Sequence, residues 1–237
     1  LVMQGVAIAE LLLFHSQYAY KIAFTLYATF LTFVVAQRMV PFFSHSMVKK
    51  RAYFLPIVFV ALTLSVIGEL IHLPILSAIV SLVLSIFLAF EFKRWNFNIK
   101  ESPAILQILQ IALFWFALAL FLGSLSTLAE ITLQRSFYYA QTHLIALGFI
   151  TTILIGFGTR VTLGHSGQPP LADAITLKIF YLTQIVVVTR FLFSIIYGSN
   201  PDFFWLFDVS LATWLLLFIF WSAKFSRVLL FGKPNKK

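Results

Sequence analysis

Residues 143–167 read HLIALGFITTILIGFGTRVTLGHSG. This stretch places His143 inside an apolar segment and ends with Arg160 and His165 among several glycines. Hydrocarbon strongly disfavours ionisable side chains, so such residues within an apolar span are candidates for a functional site. The stretch therefore predicts a membrane-spanning helix and a site associated with it.

The composition of the whole chain also indicates a membrane protein. Hydrophobic residues make up 61% of the 237 residues and charged residues 11%, and the mean hydropathy is +0.97. These values leave too little polar surface to enclose a water-soluble globule. The chain has no cysteine, which excludes disulfides, thiolate metal sites and iron–sulfur ligation within it. It also lacks a glycine-rich phosphate loop and a basic–aromatic nucleic-acid module, so we expect no nucleic-acid partner.

Eight apolar segments are long enough, or nearly so, to cross a hydrocarbon core of about 30 Å. No long soluble insertion or low-complexity linker separates them, which predicts a single transmembrane domain over residues 1–237. The predicted fold is all-α, a polytopic transmembrane helix bundle of about eight spans in a lipid bilayer. The predicted spans are 1–14, 18–37, 54–72, 75–91, 104–129, 137–160, 174–198 and 203–224.

The net charge of +9 arises mainly from one side of the predicted membrane. Alternate connections and the C-terminus hold 14 of the 17 basic residues. Because cytoplasmic loops carry an excess of Lys and Arg, these connections and the C-terminus are predicted to be cytoplasmic. The basic residues are Arg38, Lys49, Lys50, Arg51, Lys93, Arg94, Lys100, Arg160, Lys178, Lys224, Arg227, Lys233, Lys236 and Lys237.

The span 137–160 has two distinct faces. At 100° per residue, Gly148, Thr152 and Gly156 form a stripe of small side chains, which predicts close approach of a neighbouring helix. Tyr139 and His143 lie on roughly the opposite face. We therefore expect both faces of this helix to contact protein or a cofactor.

Two motifs resemble those of the NnrS family of bacterial inner-membrane proteins. Residues 159–167, TRVTLGHSG, are similar to the family's Thr-Arg-Val-x-x-Gly-His-Thr/Ser-Gly-Arg-Pro turn. Residues 38–44, RMVPFFS, resemble its Gly-Arg-x-x-Pro-x-Phe-Thr motif at the cytoplasmic end of a span. Both motifs lie on the same predicted side of the membrane. Gln37 and Gln168 stand where the family usually has Gly and Arg, and the lost cation weakens an anion-binding role for the second motif.

The resemblance implies a haem- and copper-containing protein associated with denitrification and resistance to nitric oxide. Nitric oxide or another small nitrogen oxide would then be its partner. Family members usually carry more spans and a His-rich segment near the N-terminus, and this chain begins at Leu1, so we expect it to be the C-terminal portion of a longer protein. The alternative function is a polytopic transporter or channel for a small solute or ion. We find no internal repeat, and the prolines lie mostly near span ends, which favours the cofactor protein.

His143 is the best candidate metal ligand, because neutral imidazole suits both haem iron and copper. His72 and His15, on the same predicted outer side, are the candidate second ligands. Glu69 lies three residues before His72 and could orient it or share a metal with it. In the alternative interpretation, His143 bonds a neighbouring helix, and Glu69 and His72 reach interfacial water.

The predicted inner side carries a second set of candidates. Arg38, Arg160 and His165, with His45 nearby, could bind haem propionates or another anion. Equally, the arginines could only fix the topology and reach lipid phosphate.

Arg190 lies deep within the span 174–198 and needs a partner there. Asp208, in the outer half of the next span, is the best candidate, and the pair would act as a structural clamp between the last two helices.

Overall fold

The computed structural model describes residues 19–46, 48 and 51–232, together with residues 3, 4 and 8. Within these residues the chain forms seven long apolar helices, six of them long enough to cross a membrane; α2 is shorter. The helices are α1 (Ala19–Phe43), α2 (Phe54–Leu70), α3 (Pro74–Arg94), α4 (Ala104–Leu133), α5 (Ala140–His165), α6 (Ala174–Ile196) and α7 (Trp205–Phe231). A single 3₁₀ turn, Pro201–Phe204, precedes α7.

The prediction of an all-α bundle of membrane-spanning helices is confirmed. The seven helices coincide with the predicted spans from 18–37 onward, with ends that differ by a few residues. The remaining predicted span, 1–14, lies outside the described residues except at positions 3, 4 and 8. His15 likewise lies outside the described residues.

Helix α5 is longer at its inner end than predicted. The predicted span ends at residue 160, but α5 continues to His165. The stop comes at Gly167, whose φ of 69° lies in the left-handed region that glycine adopts without a steric penalty. Arg160 and His165 therefore lie on the last two turns of the helix rather than in a loop.

Helix α4 is central to the bundle. It packs against α1, α3 and α5, while α6 packs against α5 and α7, and α2 against α1 and α3. The middle of the core is aromatic: Phe33, Phe116 and Phe149 are fully buried, and the rings of Phe116 and Phe149 stack with centroids 4.7 Å apart. We call the side with the α1–α2, α3–α4 and α5–α6 connections the inner side, and the opposite side the outer side.

The small-residue stripe on α5 packs closely against α4, as predicted. A Cβ atom on Gly148 would lie 3.1 Å from the Trp115 ring, and one on Gly156 would lie 2.6 Å from Leu109 Cδ2. Thr152 between them is fully buried. The absence of side chains at these positions is what brings the two helices together.

Replacing Gly156 by leucine is expected to destabilise the protein by about 1–3 kcal/mol, because the added side chain overpacks the α4–α5 contact. Gly164→Leu is the matched control on the same helix, since a Cβ there meets no atom within 4 Å. Thermal unfolding in detergent should show a clearly lower melting temperature for Gly156→Leu and little change for Gly164→Leu. Equal stability of the two variants would mean that the helices are not in close contact at Gly156.

The inner ends of α6 and α7 are tied together by Asp173. Its carboxylate caps α6 by accepting the Thr176 N–H at 2.9 Å, and it forms an ion pair with Lys224 of α7. The hydrogen bond from Lys224, and then that from the Thr176 N–H, lower the pKa of Asp173 to about 2. Asp173 is therefore ionised at neutral pH and fixes the start of α6 against α7.

Candidate functional site

The two sequence motifs meet at one cavity on the inner side. This inner cavity, about 510 Å³ in volume, lies between the inner ends of α1 and α5. The first motif contributes Met39 and Phe43 to its lining. The second motif contributes Arg160, Val161, Gly164 and His165, and the remaining lining residues are Val35 and Phe157.

Neighbouring helices hold both motifs in place. Ser44, the last residue of the first motif, accepts a hydrogen bond from Gln110 Nε2 of α4 at 2.9 Å. Thr159, the first residue of the second motif, accepts one from Trp221 Nε1 of α7 at 3.0 Å. Nothing in the sequence connects these two helices with the motifs.

Arg160 supplies the positive charge of the inner cavity. Its guanidinium carbon lies 3.9 Å from the centre of the Phe43 ring, a cation–π contact across the two motifs. None of the ion pairs among the described residues includes Arg160. Its charge is therefore available to an anionic group of a ligand.

The other two inner candidates lie at the surface. His165 is exposed and lines the cavity. Arg38 is exposed on α1 and does not line it. Arg160 and His165 thus meet at one cavity, and Arg38 lies beside it in the chain.

The inner cavity has the chemistry that a haem group needs. Haem combines an apolar ring, two anionic propionates and an iron that accepts imidazole. The cavity offers apolar walls from Met39, Phe157 and Val161, one unpaired cation at Arg160, and one imidazole at His165. These residues fit haem.

On the outer side, His143 contacts Arg190. The Arg190 Nη2 atom lies 2.8 Å from His143 Nε2. Arginine has no acceptor, so it donates this hydrogen bond and Nε2 accepts it, which places the proton of the neutral imidazole on Nδ1. The lone pair of Nε2 thus faces Arg190 and is not free to bind a metal while the contact lasts.

The other outer candidates do not complete a metal site. His72 lies on the α2–α3 turn with a φ of 58°, because α2 ends at Leu70, so Glu69 and His72 do not share one helix face. Glu69 instead forms an ion pair with Lys21 of α1. In the described part of the chain, no group of three or more His, Asp or Glu side chains could hold a metal ion. The described outer residues do not fit copper in this arrangement, and the ligand roles of His143, His72 and His15 stay predictions.

The expected ion pair between Arg190 and Asp208 is also wrong. Besides His143, the Arg190 guanidinium lies 5.0 Å from the Phe193 ring and 4.9 Å from the Phe207 ring. Among the described residues Asp208 forms no ion pair, and its side chain lies on an exposed part of α7. Arg190 is therefore stabilised by an imidazole and two aromatic faces rather than by a carboxylate.

His143 stands directly before an irregular part of α5. Residues Leu144–Thr151 form a π-helix, and Ile22–Thr29 of α1 form a second one that packs against it. Thr151 and Thr152 each donate a hydroxyl hydrogen bond to the carbonyl five residues earlier. Such segments are rare and occur frequently at functional sites.

A second cavity, the outer cavity, lies between the outer ends of α1 to α5 and has a volume of about 520 Å³. Charged residues in its lining are Lys21, Glu69 and Glu130, and three tyrosines, Tyr20, Tyr138 and Tyr139, also line it. Neither His143 nor His72 is part of the lining. The outer polar residues thus converge, but without the two outer histidines that the structure describes.

Glu91 is an important residue that the sequence analysis missed. It is 3% exposed and forms ion pairs with Arg51 and Arg94, each at 3.0 Å. In the sequence, Glu91 is the one acidic residue within the apolar segment 83–92. Buried charges in proteins are normally paired, so an ion pair between this glutamate and nearby arginines could have been predicted.

The fold and the two cavities define a polytopic α-helical membrane protein. The model of the NnrS protein family matches residues 1–231, nearly the whole chain, and the chain belongs to this family. No curated protein and no solved structure matches the chain.

Proposed function

We propose that this protein acts in the bacterial response to nitric oxide and in denitrification-related metabolism as a haem- and copper-containing protein. The observation that carries the proposal is the meeting of the two motifs at the inner cavity, in a chain that belongs to the NnrS family. When bound, haem would supply an iron centre that can take a small gaseous ligand such as nitric oxide.

Two lining residues, Arg160 and His165, would hold the haem. Arg160 would pair with a propionate, and the exposed Arg38, which lies outside the lining, would add a second cation beside the cavity. His165 would present its neutral imidazole to the iron. Phe43 would keep Arg160 in place through its ring, and Phe157 would help to keep water from the apolar part of the group.

The copper part of the proposal rests on the family alone. Among the described histidines, His143 would need to lose its contact with Arg190 before Nε2 could bind a metal. His72 and His15 are the proposed additional ligands.

The protein is proposed to lie in the bacterial inner membrane with its C-terminus in the cytoplasm. Arg51 and Lys100 lie in the described inner connections, and Lys93 and Arg94 lie at the inner end of α3. Their excess of positive charge supports a cytoplasmic inner side.

A second candidate function is transport of a small solute, which the polar outer cavity favours. A solute moving inward from this cavity would meet the fully buried rings of Phe33, Phe116 and Phe149. These rings contact one another at centroid distances of 4.7 to 6.5 Å. The arrangement favours binding in the outer cavity over an open channel.

The proposed function is tested by survival under nitric oxide. Denitrifying bacteria that lack the protein are complemented with the wild-type gene, with His165→Ala, or with Lys178→Gln as a control at an exposed residue of α6. We expect the wild type and Lys178→Gln to restore growth with a nitric oxide donor, and His165→Ala to fail at equal membrane abundance. Equal growth with and without the wild-type gene would contradict the proposal.

A further inference from the structure

The described lining of the outer cavity has an excess of negative charge and several aromatic side chains. We propose that it binds a small organic cation of the ammonium class. The inference is independent of the haem proposal, because the outer and inner cavities share no lining residue.

The charge balance of the cavity favours a cation. Lys21 and Glu69 form an ion pair and cancel each other. Glu130 accepts the Phe137 N–H at 2.6 Å through Oε1, and none of the ion pairs among the described residues includes it. The described lining therefore carries one negative charge that no basic side chain balances, and a monovalent cation would neutralise it.

The aromatic side chains favour an ammonium group over a metal ion. Tyr20, Tyr139 and Phe24 line the cavity, as does Tyr138, whose ring also packs against Tyr197 with centroids 5.0 Å apart. The faces of such rings attract organic cations, and several rings around one carboxylate are typical of sites for alkylated ammonium groups. A hard metal ion would need several oxygen or nitrogen ligands, and the described residues hold no group of three acidic or histidine side chains for one.

Two buried serines in the lining form hydrogen bonds that support Glu69. Ser65 and Ser77 line the cavity, are 6% and 5% exposed, and share a hydrogen bond of 2.8 Å. Ser77 also donates to Glu69 at 3.3 Å. With about 520 Å³ of space, the cavity can hold a molecule considerably larger than a bare ion.

Choline is a suitable probe, and its neutral carbon analogue, with a tert-butyl group in place of the trimethylammonium group, is the matched control ligand. We expect isothermal titration of the full chain in detergent to show binding of choline, with an affinity at least about tenfold higher than that of the neutral analogue. Equal affinity of the two ligands, or no binding of choline, would overturn the proposal.

Two substitutions identify the site. Glu130→Gln removes the charge and keeps an oxygen for the Phe137 N–H, and it should weaken choline binding by about tenfold. Glu101→Gln, at an exposed glutamate on the inner side, should leave the affinity unchanged. Tyr139→Leu should also weaken binding, whereas Tyr181→Leu, at an exposed tyrosine outside the lining, should not. Unchanged affinity in both Glu130→Gln and Tyr139→Leu would place the binding elsewhere and overturn the assignment.

Discussion

Removing both Arg51 and Arg94 is expected to lower the free energy of unfolding by about 3–5 kcal/mol, because it leaves Glu91 buried without a cation. Glu91 is 3% exposed, whereas the two arginine side chains are 44% and 33% exposed. Glu91→Leu should therefore lower the free energy of unfolding by less, because the arginines can turn toward water when the carboxylate is gone. Unfolding in detergent measures both effects.

The triple variant provides the decisive comparison. Adding Glu91→Leu to the double arginine variant should recover most of the lost stability, because no charge then remains buried. Glu101→Leu, at an exposed glutamate on the same side, is the control and should change stability by less than about 0.5 kcal/mol. A triple variant less stable than the double variant would show that the ion pairs of Glu91 do not determine the stability of the inner end of α3.

The second large effect is expected at the contact between His143 and Arg190. His143→Leu removes the acceptor of a guanidinium within the bundle and should cost about 1.5–3 kcal/mol, the range for hydrogen bonds to charged groups. Adding Arg190→Leu should recover part of this loss, because the cation that lacks its acceptor is then gone. A double-mutant cycle measures the coupling.

Asp208→Asn distinguishes this contact from the ion pair that the sequence suggested. Asp208 is exposed and forms no ion pair among the described residues, so its replacement should shift stability by less than about 0.5 kcal/mol. If Asp208 couples strongly to Arg190 and His143 does not, Arg190 pairs with Asp208. The contact between His143 and Arg190 would then be rejected.

The positions of the helices were predictable because hydropathy and charge vary along the chain on the scale of a membrane span. The contact between α4 and α5 was predictable in part, since Gly148 and Gly156 fall on one stripe. The end of α5 was not, because both Gly164 and Gly167 can end a helix and only the backbone conformation shows which one does.

The partners of the charged residues required the structure. The sequence places Arg190, His143 and Asp208 at similar depths, but it does not give the rotation of each helix about its axis. That rotation directs Arg190 toward His143 of α5 and leaves Asp208 exposed on α7. For the same reason, the two motifs could be assigned to one side of the membrane, but their common cavity depends on the proximity of α1 and α5.

The most direct test of the haem proposal is the optical spectrum of the purified full chain, oxidised and then reduced, with haem measured per protein. The wild type, expressed with sufficient haem, should show haem absorption that changes on reduction. His165→Ala should lose the haem or shift its bands, and Lys178→Gln, at an exposed residue of α6 outside the inner cavity, should match the wild type. A wild type without haem, or a His165→Ala variant with unchanged haem content and spectrum, would contradict the proposed site.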